Sequence, residues 1–153
     1  MEQSSPIIAV IGGNEAGAAD LDHAESVGRL LAEAGAILVC GGRGGVMEAA
    51  CRGARAAGGL TVGILPGDDV AEANPHVAVP VATGMGIGRN LIIVRSAGAA
   101  IAIDGRYGTL SEIAFALQLG KPVFALSPWI AVPGVAVVDS PEAAVRGALA
   151  ACR

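Results

Sequence analysis

An arginine, two glycines and two carboxylates fall within nine residues: Asp104-Gly105-Arg106-Tyr107-Gly108-Thr109-Leu110-Ser111-Glu112. The apolar run from Ala99 to Ile103 before them reads as a buried strand, and Leu110 to Leu119 after them reads as a helix. A helix N-terminus offers unpaired N–H groups and partial positive charge, and glycine lets a phosphate approach them closely. The chemistry this pattern suits is phosphate binding with an acid or base alongside. Thr109-Leu110-Ser111-Glu112 carries two readings of equal weight. One is a capping box, with Thr109 capping the helix and Glu112 reaching back to it. The other makes Glu112 a general acid or base facing a ligand. Asp104 either holds a ribose hydroxyl, orients Arg106, or simply forms an Asx turn.

Glycine punctuates other strand ends in the same way. Gly41-Gly42-Arg43-Gly44-Gly45 joins the strand Ala36 to Cys40 to a helix from Val46 to Ala57. It lacks the Gly-Lys-Ser/Thr ending of a Walker loop and is no strict dinucleotide fingerprint. Four glycines exceed what a tight turn needs, so its backbone N–H groups are read as cradling a phosphate or ribose. Gly12 and Gly13 follow the first strand, and Thr83-Gly84-Met85-Gly86-Ile87-Gly88-Arg89-Asn90 precedes a further helix, with Arg89 as a charge clamp at its start. Arg43, Arg89 and Arg106 all stand in glycine-bearing loops, which together suit a small anionic ligand.

These loops need a scaffold that brings them to one edge. Apolar runs at Ile7 to Ile11, Ala36 to Cys40, Leu60 to Leu65, Val77 to Val81, Ala99 to Ile103, Pro122 to Leu126 and Val135 to Val138 read as strands. Helical patterns at Ala19 to Ala34, Val46 to Ala57, Arg89 to Ala97 and Leu110 to Leu119 fall between them, and Ser140-Pro141-Glu142 opens a last helix with a cap, a proline and an acid. Strands apolar throughout, separated by helices, imply an α/β fold: a Rossmann-like, doubly wound parallel sheet in three α/β/α layers, one nucleotide-binding domain over residues 1–153. In such sheets ligands bind beyond the carboxyl ends of the strands, where nearly all of this glycine punctuation lies. Gly35, Gly58-Gly59 and Gly120 merely end helices at the opposite edge.

Composition narrows the classes further. The core must be aliphatic, since 53% of the 153 residues are hydrophobic but only 3% aromatic. A formal charge of −4 argues against a general nucleic-acid surface. Cys40, Cys51 and Cys152 are odd in number and match no metal spacing, so they read as reduced thiols of a cytoplasmic protein, with Cys40 as a small core residue. His23 and His76 have no recognisable partner, and no metal or resident cofactor is expected. No apolar run approaches the ~18 residues of a membrane span, and the start carries no basic n-region.

At the quoted residues the chain resembles the LOG (LONELY GUY) and "possible lysine decarboxylase" superfamily. It is most similar to the short bacterial branch that also resembles molybdenum-cofactor carrier proteins. The pieces are Cys40-Gly41-Gly42-Arg43-Gly44-Gly45-Val46-Met47-Glu48, Val62-Gly63-Ile64-Leu65-Pro66-Gly67, Thr83-Gly84-Met85-Gly86, Arg89-Asn90 and Gly108-Thr109-Leu110-Ser111-Glu112. In LOG enzymes such a site hydrolyses cytokinin nucleoside 5′-monophosphates to free base and ribose 5-phosphate. The resemblance puts the catalytic arginine on Arg89 and the catalytic glutamate on Glu112. It puts phosphate-binding groups on Gly41, Gly42, Gly45, Gly108 and Thr109, and it implies a homodimer or higher homo-oligomer, with helices pairing beside the site. Carrier-like relatives hold a phosphorylated pterin without turnover. This chain has Asp104-Gly105-Arg106-Tyr107-Gly108-Thr109 where LOG enzymes have Pro-Gly-Gly-x-Gly-Thr, and Arg89-Asn90 where they have Arg-Lys. Both departures favour binding of a phosphorylated nucleotide-like or pterin-like small molecule, as a carrier or sensor, over hydrolysis. Pyridoxal chemistry needs a Schiff-base lysine, and the one lysine, Lys121, lies at the far edge of the sheet.

Overall fold

A computed structural model describes residues 4–152. Seven strands form one sheet: β1 (Ile7–Gly12), β2 (Ile37–Cys40), β3 (Thr61–Leu65), β4 (Val79–Ala82), β5 (Ala99–Ile103), β6 (Val123–Leu126) and β7 (Ala136–Val137). Between and after them run α1 (Ala18–Glu33), α2 (Val46–Ala56), α3 (Arg89–Arg95), α4 (Tyr107–Gln118) and α5 (Pro141–Ala151). The spatial order is β4-β3-β2-β1-β5-β6-β7, with every pair parallel. This is the Rossmann-like, doubly wound sheet expected from the alternation of apolar runs and helical patterns.

The two-residue period of a strand sorts each run onto two faces. Ile8, Val10, Leu38, Ile101 and Ile103 face one layer with Ala24, Val27 and Leu31 of α1, Ala50 and Ala54 of α2, and Ala144 and Ala148 of α5. Ala9, Ile11, Val39, Ala100 and Ala102 face the other, with Ile93 and Val94 of α3 and Ile113 and Ala116 of α4. Small residues on the helices allow tight approach. A Cβ at Gly28 would collide with the Ala50 carbonyl, and one at Gly53 with the Glu25 carbonyl, so α1 and α2 pack backbone to backbone.

The chain runs outward from β1 to β4 and then returns to lay β5 against β1's other side. Loops leaving β1 and β5 therefore diverge to opposite faces, opening a crevice at the sheet's switch point. One boundary differs from expectation at that place. Asp104 (φ 48°) and Gly105 (φ 106°) take left-handed backbone, which ends the β5 extension abruptly. The chain is then free to coil at once, so α4 starts at Tyr107, three residues before Leu110. Elsewhere α3 stops at Arg95, and a short 3-10 turn, Val70–Glu72, occupies part of the loop after β3.

Candidate functional site

The early start of α4 decides what its residues do. Arg106 occupies the cap position and makes no side-chain capping bond. Thr109 is the third helical residue, so it does not cap, and the capping-box reading of Thr109 and Glu112 is overturned. Thr109, Glu112, Ile113 and Ala116 recur at helical spacing and form the buried stripe of α4. A carboxylic acid thus sits on the core-facing side of a helix. The N–H groups of Tyr107, Gly108 and Thr109 have no acceptor within the helix, as at any helix start.

A cavity of about 720 Å³ opens at the switch point. Its wall joins Gly12 to Gly17 after β1 with Asp104, Gly105, Arg106, Gly108, Thr109 and Glu112, and with Met47, Arg89 and Asn90. The N-termini of α1 and α4 both open into it, and neither carries a side-chain cap. Of the residues singled out in the sequence, the structure brings Gly12, Gly13, Arg89, Asp104, Gly105, Arg106, Gly108, Thr109 and Glu112 to this wall.

Glu112 is 7% exposed. Burial pushes its carboxyl up to about 8 from the ordinary 4.5, and the attraction of Arg89 offsets only part of that rise. At neutral pH it is an acid and a hydrogen-bond donor. Arg89 is also shifted: burial lowers its affinity for the proton, Glu112 opposes that, and Arg43 adds to it. The Arg89 guanidinium donates through Nη1 to Asn90 Oδ1. Asn90 Nδ2 donates to Ser111 Oγ at 3.1 Å, and Ser111 Oγ donates to the Gly108 carbonyl at 2.6 Å. This chain of bonds ties Arg89 on α3 to the first turn of α4. Among the described residues the buried Arg89 Nε has no hydrogen-bond partner.

Arg106 is held differently. Its Nη1 donates to Asp104 Oδ1 at 3.2 Å and to the Gly105 carbonyl at 2.6 Å. Asp104 therefore orients Arg106, one of the roles its position suggested.

Gly41 to Gly45 lie behind the wall rather than on it. A Cβ at Gly41 would stand 2.8 Å from Arg89 Nη2 and 2.9 Å from Met47 Sδ, so this glycine makes room for the arginine. Two of the N–H groups expected to cradle a ligand, and that of Val46 just beyond them, are spent locally. Gly42 N–H donates to Cys40 Sγ at 3.3 Å, Gly44 N–H to Asn14 Oδ1 at 2.9 Å, and Val46 N–H to the Gly13 carbonyl at 3.0 Å. The glycine loop of β2 thus braces the loop of β1, while exposed Arg43 weighs on the site through its charge. Thr83, Gly84 and Met85 also stand off the wall. Thr83 Oγ1 donates to the Leu65 carbonyl at 2.7 Å and Gly84 N–H to the Gly67 carbonyl at 2.8 Å, closing a turn after β4.

Asn14, Glu15, Ala16, Gly17, Met47 and Asn90 complete the wall without having been singled out as site residues. Asn14 directly follows Gly12-Gly13 and Met47 closely follows the Gly41 to Gly45 loop; that adjacency was the available signal. Cys40 and Cys51 lie buried with their sulfurs 3.6 Å apart. The bond to Cys51 and burial raise Cys40, which keeps it a thiol, as expected of a core residue. No group of three or more His, Cys, Asp or Glu side chains among the described residues could hold a metal ion. Among the described residues no helix is long and apolar enough to cross a membrane.

Comparison with known proteins agrees with this architecture. The chain is 46% identical over 140 residues to an uncharacterized protein of Archaeoglobus fulgidus, covering 91% of each. Among solved structures, the molybdenum cofactor binding protein of Rippkaea orientalis superposes with a TM-score of 0.92 at 37% identity, over 97% of this chain and 98% of that one. The molybdenum cofactor carrier protein of Chlamydomonas reinhardtii follows at 0.88 and 33% identity, with the same coverage. A family model matches residues 5–148, and on it the chain belongs to the SLOG cluster4 family.

Proposed function

We propose that this protein binds a phosphorylated, pterin-like cofactor in the 720 Å³ cavity and carries it without chemical turnover. The observation that carries the reading is the placing of the buried Glu112 and of Arg89 on one wall of the cavity. A carboxyl that burial keeps protonated can donate, as can the Arg89 guanidinium on the same wall, so they suit the oxygens of a phosphate. The α4 N-terminus adds backbone donors and positive dipole from a third side. Support also comes from the carrier and binding proteins of the molybdenum cofactor that share the fold along the full chain at 33–37% identity. In this reading Arg89 clamps the phosphate, Gly108 and Thr109 supply N–H groups, and Arg106 adds charge at the rim.

The second reading is hydrolysis of a nucleoside 5′-monophosphate, favoured by the convergence of Arg89 and Glu112 on one wall. Stabilising an oxocarbenium-like ribose or activating water requires Glu112 as the carboxylate, and its proton is retained up to about pH 8. Incubation with adenosine monophosphate followed by chromatography separates the two. The carrier reading expects no free adenine from the wild-type protein. Adenine released by the wild type and not by Glu112→Gln would make the protein a phosphoribohydrolase.

We further propose that the protein is a cytoplasmic homodimer. Met85 and Ile87 of the turn before α3 and Phe115 of α4 are exposed apolar side chains, Ile87 at 86%. A second copy packed there would cover them beside the cavity.

A further inference from the structure

Phe124 packs against the aliphatic core, but the tryptophan and the tyrosine are left outside it. The chain has one tryptophan and one tyrosine. They stand together, outside the core, at the carboxyl edge of the sheet. Trp129 lies in the loop between β6 and β7, and Tyr107 is the first residue of α4. Their rings meet edge to face, with centroids 4.9 Å apart and planes at 82°. Tyr107 is 76% exposed and Trp129 37%. The Arg106 guanidinium carbon lies 5.5 Å from the Trp129 ring centre.

This cluster is continuous with the cavity. Asp104, Gly105, Arg106 and Thr109 belong both to the cavity wall and to a crevice walled by Trp129, Ile130 and Leu110. The crevice measures about 20 Å³, room for about one water molecule and not for a ring. What it offers is the outer surface of the aromatic pair. One helical turn thus presents backbone donors for a phosphate and, at its first residue, an aromatic face.

We propose that Trp129 and Tyr107, with Arg106 between them and the cavity, form a stacking subsite for the planar heteroaromatic ring of the ligand whose phosphate rests on α4. This rests on the phosphate-binding reading above and adds what selects the ligand: a flat ring, not merely a phosphate. An aromatic face recognises any such ring through stacking and excludes a bare sugar phosphate, which has no π surface. Arg106 contributes at both ends, with charge toward the cavity and its guanidinium plane toward the ring.

The single tryptophan makes the test direct. Calorimetric titrations use ribose 5-phosphate, adenosine monophosphate and 6-hydroxymethylpterin phosphate as probes, against wild type, Trp129→Ala and Trp129→Phe. Wild type is expected to bind the two ring-bearing probes more tightly than ribose 5-phosphate and to lose tryptophan emission with them alone. Trp129→Ala is expected to weaken the ring-bearing probes on the order of tenfold, leave ribose 5-phosphate unchanged, and be rescued by Trp129→Phe. Equal affinity of wild type for all three probes overturns the stacking subsite while sparing the phosphate site, as does an equal loss for all three in Trp129→Ala. Failure of wild type to bind any of them overturns the phosphate site and the subsite with it.

Discussion

Glu112 keeps its proton in the folded chain until the pH nears 8, whereas an ordinary carboxyl gives it up near 4.5. The folded state therefore binds one more proton than the unfolded state between those values. Stability falls as the pH rises through that window, by up to about 1.4 kcal/mol per unit, and the penalty is complete above about 8. Glu112→Gln removes the ionisation. Urea unfolding at pH 5, 6.5 and 8 should show a flatter profile in the variant and a more stable variant at pH 8. The same titration acts on binding. A neutral Glu112 donates to phosphate and an ionised one repels it, so affinity for a phosphate monoester should drop as pH passes about 8 in wild type and hold steady in Glu112→Gln. Arg106→Ala tests the rim. It removes a mostly exposed charge, so a loss of severalfold in affinity is expected, with greater sensitivity to salt in wild type than in the variant. At this scale the sequence was most informative where a residue type is costly. Arg89, Arg106 and Glu112 stand out as charges among glycines and aliphatics, and all three reach the cavity. Asn90 was visible only as a departure from Arg-Lys; its bond to Ser111 depends on how α3 packs against α4, which no local pattern encodes.

Elements place these side chains by their starts and by their spacing. Ala99–Ile103 was legible to the residue because an unbroken apolar run ends at Asp104-Gly105. The α4 start was not, because Arg106-Tyr107-Gly108 has no helical signature of its own; the left-handed backbone before it forces the coil. Gly41 to Gly45 resembled a ligand cradle because glycine-rich turns look alike whether backbone N–H groups meet a phosphate or a neighbouring loop. Here the Gly44 N–H meets Asn14 and the Gly42 N–H meets Cys40 Sγ. Helix glycines carry a separate role. Gly28→Ala would drive a methyl group into the Ala50 carbonyl and separate α1 from α2. Overpacking of this kind costs about 1–3 kcal/mol, measurable as a lower urea midpoint. Gly58, with open space beyond its Cα, should tolerate serine far better than Gly28 tolerates alanine, its residual cost coming from the φ of 80°.

On the scale of the molecule, the order β4-β3-β2-β1-β5-β6-β7 matters because it opens one crevice between the loops of β1 and β5. The alternation of apolar runs with helices made the sheet and its layers readable, and the asymmetry of glycine located the ligand edge. Strand order itself follows from long-range packing. A homodimer built on Met85, Ile87 and Phe115 predicts that light scattering gives twice the chain mass for wild type and shifts toward the monomer for Ile87→Asp. Arg89 and the α4 N-terminus are proposed to hold a phosphorylated planar ligand, and calorimetric titration of 6-hydroxymethylpterin phosphate into wild type and Arg89→Ala measures that hold. Saturable binding by wild type, weakened at least tenfold in Arg89→Ala, is the predicted result. No saturable binding by wild type, or equal affinity in the two proteins, would contradict it.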